Sequence, residues 1–307
     1  MAYEVLYSGL TTDARLSQIL AQEIELILAD RFSLQGHPAL RYVGDLAGRG
    51  STTIKVPRAG LGGYNRMASV SEGSATSNTA LTTSNVTVAI ARQALQRQVS
   101  DLANITDSVG INVTALAVDQ VASAYMRFTE MVCGVTAFTS SAGTSGQTLG
   151  VDDFFTAMFT LTQASVPVGG AVAILYPKQV TNLQNATRGE AGAMQWMPAT
   201  AQLMALKGQG YAGNFLGVDI YASTLIPTAN AGADSSGMMF GPGAIVWADG
   251  TPAPILGANN TLYPAGTKIY VEFERDSAYS YTKVVGNYFV GVSKDQDAMG
   301  CSLVSVR

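Results

Sequence analysis

Apolar side chains recur between residues 111 and 134 at steps of three and four. Val118, Val121, Tyr125, Phe128 and Val132 form one stripe, which predicts an amphipathic helix. Asp119, Ser123, Arg127 and Glu130 fall on another side at helical spacing. Ser108 and Asn112 offer capping groups at its entrance, and Gly134 supplies a stop. Such a helix is roughly 35 Å long and too polar on one face to span a bilayer. It reads as a backbone across which the flanking segments fold.

Before it, Leu16, Ile19, Leu20, Ile24, Ile27 and Leu28 predict a helix over residues 11 to 34, with Thr12 or Asp13 as its cap. GHPAL and GDLAGRG then end it with turns. From Ser51 the period changes to two. Residues 52 to 58 alternate as a strand, with Pro57 marking an edge or an end. Residues 85 to 92 alternate again and place Val86, Val88 and Ile90 on one face. Between them lie AGLGG and a polar stretch from Asn65 to Asn85, so the two strands describe a long projecting hairpin. A hairpin alone is marginal in water and needs something to lie on. This one holds Lys55, Arg58, Arg66 and Arg92 against only Glu72. Gln93 to Asp107 reads as a short helix, with Val99, Leu102 and Ile105 on one side. Thr139 to Gly150 is a low-complexity, flexible boundary.

Beyond that boundary the pattern becomes α/β. Residues 151 to 164 are helical, with Phe154, Phe155, Met158, Phe159 and Leu161 mostly on one face. Residues 171 to 176 form a continuous apolar run, the signature of a strand covered on both sides. Pro177 opens a helix at its favoured first position. Residues 188 to 214 read as a long loop with a helical piece. Strands are expected at 215–225, 238–247 and 270–274, through much of 278–292, and at 302–306.

Composition changes this picture in one respect. Charged residues make up 13% of the 307, about half the usual share, which suggests that much of the surface meets other protein. A net charge of -4 argues against a nucleic-acid reader. Cys133 and Cys301 sit in apolar runs and read as buried free thiols. MAYEVLYSGL shows no secretory signal, so the N-x-T triplets at Asn85, Asn104, Asn112 and Asn185 are read as chance. The protein is expected to be made and used inside a cell.

Candidate chemistry is sparse. His37, the sole histidine, stands beside Pro38 in a turn and reads as a surface or capping residue. One histidine without CxxC or HxxxH spacing does not make a zinc site. No G-x-S-x-G elbow appears, and GLGG at 60–63 and GTSG at 143–146 lack the lysine and hydroxyl of a P-loop. Glu272 and Glu274 share one strand face, as paired carboxylates of a glycosidase would, but a charged surface or a docking stripe is the favoured reading. No enzyme activity, metal or cofactor is expected.

The order of these elements resembles the major capsid proteins of tailed bacteriophages, which share the HK97-like α+β fold. The residues carrying the likeness are Val70-Ser71-Glu72-Gly73, Thr87-Val88-Ala89-Ile90 and Val99-Ser100-Asp101-Leu102, leading into the long helix. The likeness runs nearly the whole chain, though each motif alone is weak. It implies an N-terminal arm (1–50), an extended E-loop (51–92), a P-domain (93–145 with 262–307, spine helix 111–133) and an α/β A-domain (146–261). The A-domain loop at 188–214 would approach the five- and six-fold axes. The resemblance further implies an icosahedral virion shell of hexamers and pentamers, assembled in the host cytoplasm. It would enclose double-stranded DNA without sequence-specific binding and would involve no membrane. A portal is an implied partner, and a decoration protein an optional one. There is no room for an N-terminal scaffold region, so a separate scaffolding protein is implied and self-cleavage is put in doubt.

The residues suggest how copies meet. A basic hairpin needs an acidic seat, and Glu272, Glu274 and Asp276 are the best candidate. Lys55, Arg58 and Arg66 are therefore expected to dock there on the adjacent subunit, with Glu72 at the hairpin tip. The alternative within the fold is an encapsulin-like nanocompartment shell. A glycosidase or esterase is the remote alternative outside it.

Overall fold

In the computed structural model the described residues are 37–46, 51–59, 69, 71–73, 83–102, 113–135, 138–189, 196–207, 210–251, 261–262 and 268–307. The helix expected over 11–34 lies outside them. In chain order the strands are β1 (Leu40–Asp45), β2 (Thr53–Ala59), β3 (Thr83–Ala89), β4 (Ala91–Ser100), β5 (Ser141–Ala142), β6 (Val172–Leu175), β7 (Trp196–Pro198) and β8 (Tyr211–Phe215). They continue with β9 (Val218–Ala222), β10 (Thr228–Ala229), β11 (Asp234–Phe240), β12 (Ile245–Asp249), β13 (Thr261–Leu262), β14 (Ile269–Asp276), β15 (Tyr281–Lys294) and β16 (Gly300–Val306). The α-helices are α1 (Val113–Gly134), α2 (Val151–Gln163), α3 (Pro177–Gly189) and α4 (Ala201–Lys207).

The apolar stripe of the long helix does what its spacing predicts. Val121, Tyr125, Phe128 and Val132 are buried, while Asp119, Met126, Arg127 and Glu130 are exposed. At 22 residues, α1 is about 33 Å long. It lies on a six-stranded sheet ordered β1-β12-β15-β14-β13, with β4 also on β15. The axis of that sheet is β15. Antiparallel β14 runs along one edge, from Ile269↔Tyr288 to Asp276↔Tyr281. The other edge is shared end to end by β4, paired from Ser100↔Tyr281 to Ala91↔Val290, and β12, paired from Asp249↔Val290 to Ile245↔Lys294. Even-numbered Val284, Tyr288 and Val290 of β15 face the α1 core.

The second sheet is eight-stranded, ordered β5-β16-β11-β6-β9-β8-β7 with β10 on β11. The apolar run in β6 has no polar alternation because both its faces are covered. Val172 and Ile174 join the core shared with α1, and Ala173 and Leu175 pack with Phe154, Leu161 and Leu183 of α2 and α3. The face of α2 is narrower than its sequence suggests. Phe154 and Leu161 are buried, but Phe155 and Phe159 are 38% and 62% exposed.

Two expectations are corrected. Residues 91–100 are a strand, not the start of a helix. Gln, Arg, Ala and Leu favour a helix locally, but ten consecutive pairs with β15 override that preference. Residues 101 and 102 are helical, and 103–112 lie outside the described residues. The 139–150 stretch is not a loose linker. The Ser145 hydroxyl and Gly146 N–H donate to Asp234 at 2.6 and 3.1 Å, and Val306 N–H donates to the Gln147 carbonyl at 2.8 Å. Gly143 is required there, since its φ is +86° and a Cβ would sit 2.3 Å from the Val304 carbonyl oxygen. The two sheets do not divide by chain order: β12 joins the first sheet, and the last strand, β16, pairs with β11 in the second.

Candidate assembly surfaces

β2 and β3 pair antiparallel from Thr53↔Ala89 to Ala59↔Thr83, giving the expected hairpin. Its root lies on the chain's own first sheet. Ile54, Val56 and Val88 pack against Val246 and Ala248 of β12, on the face opposite α1. Contact there is backbone on backbone. A Cβ at Gly291 would lie 2.2 Å from the Ala89 carbonyl oxygen, so only glycine lets β3 cross β15 so closely. Gly286, also in β15, does the same for α1, where a Cβ would meet the Gln120 Cβ at 2.8 Å. A glycine inside a strand pattern signals such an approach, and both positions could have been read from the sequence in that way.

The basic residues of the hairpin are only partly placed. Lys55 is exposed opposite Thr87, and Arg58 lies opposite Ser84 in the register. Arg66 falls outside the described residues. Glu72 is exposed in a turn with Gly73, whose φ is +86°. Glu272 and Glu274 pair directly with Val285 and Lys283, and Asp276 with Tyr281. Directly paired residues share a sheet face, and this one is opposite α1, the same face on which the hairpin root rests. The root covers the sheet near Gly291. The acidic positions stand toward the other end, opposite β15 residues six to ten positions from Gly291, roughly 20–33 Å away.

Those acids already have partners within the chain. Asn287 donates to Glu272 at 3.1 Å and accepts from Arg92 at 2.8 Å. Lys283 stands 3.4 Å from Glu274 and 3.6 Å from Asp276, with its ammonium over the Tyr281 ring. Glu274, 65% exposed, keeps most of its surface open. The stripe is thus a half-neutralised platform that leaves capacity for further cations.

His37 caps, as expected, but is not a surface residue. Ala39 N–H donates to Nδ1 at 3.1 Å, so the ring proton sits on Nε2, which faces Asp219 at 3.4 Å. Asp219 also accepts from Lys207, Asn214 and Tyr211. Burial alone would raise the Asp219 carboxyl, but the hydrogen bonds from Lys207, Asn214 and His37 outweigh it and hold it below its ordinary value. Burial lowers His37, against the pull of Asp219. Protonating Nδ1 would set two N–H groups against each other and remove the cap.

A histidine held below its ordinary 6.5 contributes stability that is fully present above 6.5 and lost as pH falls through the folded value. Thermal midpoints should therefore fall from pH 7.5 toward 5, and His37→Asn, which keeps an acceptor for Ala39, should flatten that slope. An unchanged slope in the variant would show that the imidazole is not responsible.

No Ser, Thr or Cys side chain hydrogen-bonds His37 among the described residues. Burial pushes the thiols of Cys133 and Cys301 up to about 12 and about 11, as suits inert buried cysteines. Among the described residues no group of three or more His, Cys, Asp or Glu could hold a metal ion, and no helix is long and apolar enough to cross a membrane.

No known sequence family and no curated protein matches the chain. Solved structures do. The mature capsid of bacteriophage PhiM1 superposes with a TM-score of 0.58 at 8% identity, covering 90% of this chain and 87% of that one. The capsid of Ralstonia phage GP4 gives 0.57 at 12% identity, covering 87% of each. An encapsulin complex from Synechococcus elongatus gives 0.53 at 10% identity, covering 86% of this chain and 84% of that one.

Proposed function

Because the chain has the HK97-like fold, we propose that it is the major capsid protein of a tailed bacteriophage. Its hexamers and pentamers close into an icosahedral shell around double-stranded DNA. The observation that carries this reading is that the likeness to several phage capsid subunits spans 82% to 91% of the chain. The role is structural. Residues 1–50 act as the N-terminal arm and 51–92 as the E-loop. The P-domain is built on α1 and the first sheet, and the A-domain on the second. Assembly takes place in the host cytoplasm with a separate scaffolding protein and a portal. A decoration protein can bind the finished virion. The net charge of -4 suits a wall that encloses DNA without gripping it.

Between subunits, Lys55, Arg58 and Arg66 of one copy approach Glu272, Glu274 and Asp276 of the next. Each exposed pair contributes about 0.2–1 kcal/mol, so the set fixes geometry more than affinity. Reversing Arg58 and Arg66 to Glu together should block assembly or divert it to aberrant particles, as seen by sedimentation and electron microscopy. Normal shells from that double variant would remove the docking contact from the account.

The whole reading is tested by purifying the overexpressed chain, alone and with its genomic neighbours, and imaging it. Closed particles are expected. A monodisperse monomer at every concentration and condition would overturn it. The encapsulin match favours one second reading, a nanocompartment enclosing enzymes. Particle contents separate the two, DNA in one case and a cargo protein in the other.

A further inference from the structure

The body built on the second sheet exposes two apolar surfaces. On α2, Phe154 and Leu161 point into the core. Asp152, Phe155 and Phe159 follow one another at steps of three and four and form an outward stripe about 10 Å long. The other surface lies among α3, β7 and α4, where Arg188, Trp196, Met197, Pro198 and Leu203 border a groove of about 540 Å³. Met197 is 53% exposed, and Met204 and Leu206, farther along α4, are 42% and 78% exposed. Methionine side chains adapt their shape and make favourable contacts with aromatic rings.

Each surface holds one charge that the chain leaves unanswered. Asp153 accepts from the Gly150 N–H at 2.9 Å, but the neighbouring Asp152 carboxylate makes no hydrogen bond or ion pair among the described residues. The Arg188 guanidinium, at the exposed end of α3, makes none either. The other described charges of this body are matched. Lys207 pairs with Asp219, Asp234 accepts from Ser145 and Gly146, Lys178 donates to the Arg307 carbonyl, and the Arg307 guanidinium lies over Tyr176. One apolar surface therefore lacks a cation and the other lacks an anion.

We infer that the α2 stripe of one copy seats in the Arg188 groove of a second copy. Phe155 and Phe159 lie against Met197 and Leu203, and Asp152 stands beside Arg188. A second copy is selected because this chain holds both halves, alike in exposed apolar character and opposite in charge. The halves share no residue, so each copy gives its stripe and receives another's, and contacts of that kind close into rings or run on as open chains. The inference rests on the shell reading for ring closure, and it uses a different surface from the hairpin and the acidic stripe.

Charge exchange in the full chain tests it. Asp152→Arg alone and Arg188→Asp alone should each raise the concentration needed for assembly about tenfold, since each sets like charges together. Both changes in one chain should bring that concentration back to within about twofold of the parent. Phe155→Ser with Phe159→Ser should abolish assembly and leave the thermal midpoint of the unassembled chain where it was, because both rings are exposed. The pairing is overturned by single variants that assemble like the parent, by a double exchange as defective as either single change, or by a midpoint that drops sharply when the rings are lost. Sedimentation separates this contact from the shell reading. Small oligomers that obey the charge exchange but never close would sink the shell reading and leave the contact standing. Shells indifferent to the exchange would do the reverse, and a parent that stays monomeric would end both.

Discussion

Gly291→Val should leave a folded body that cannot build shells. The added carbons would fall on the Ala89 carbonyl oxygen, 2.2 Å from where a Cβ must stand. That oxygen belongs to a strand held by its pairing with β2, so it cannot give way alone. The hairpin root must lift, exposing Ile54, Val56 and Val88 from their contact with Val246 and Ala248. A cost of about 3 kcal/mol is expected from forced overpacking. Proteolysis within β2 and β3 should quicken, and assembly should be lost even at high concentration. Gly291→Ala should do the same to a lesser degree, because the first carbon already collides. Unchanged assembly and an unchanged thermal midpoint in both variants would show that the close crossing of β3 over β15 does not exist.

Phe128→Ala should have the largest effect on stability. The ring is 0% exposed, in the middle of α1, and meets Trp247 of β12 edge to face at 5.3 Å between centroids. Its removal opens a cavity between the helix and the first sheet, at about 3–5 kcal/mol. The thermal midpoint should fall by about 10 °C, and the loss should appear in the unassembled chain as well as in particles. A shift of only a degree or two would mean that α1 does not organise this core.

Where periodicity alone decides an element, the sequence was readable. The α1 stripe, the alternation of Thr52 to Arg58 and the unbroken run at Ala171 to Tyr176 each had one interpretation, and the structure has the corresponding helix, hairpin strand and doubly covered strand. Elements set by distant partners were not readable in the same way. β4 carries helix-forming residues and becomes a strand only because β15 lies beside it. β16 was expected as a strand, but its pairing with β11 is a partner that its own spacing does not announce. Gly143, in a stretch that resembled a linker, is where β16 presses against the chain. The acidic stripe was visible as Glu272 and Glu274, but its internal partners Asn287 and Lys283 come from a register that spacing does not announce.

Only Ile90 separates the end of β3 from the start of β4. A tug on the hairpin therefore enters β4 at its first residue and is borne by the ladder to β15. Drawn along its own axis, such a ladder shares the force among all ten of its rungs, instead of surrendering them one by one as peeling would. If the chain builds a shell as proposed, any pull that reached the hairpin along that line would meet this shared ladder before it met the rest of the sheet.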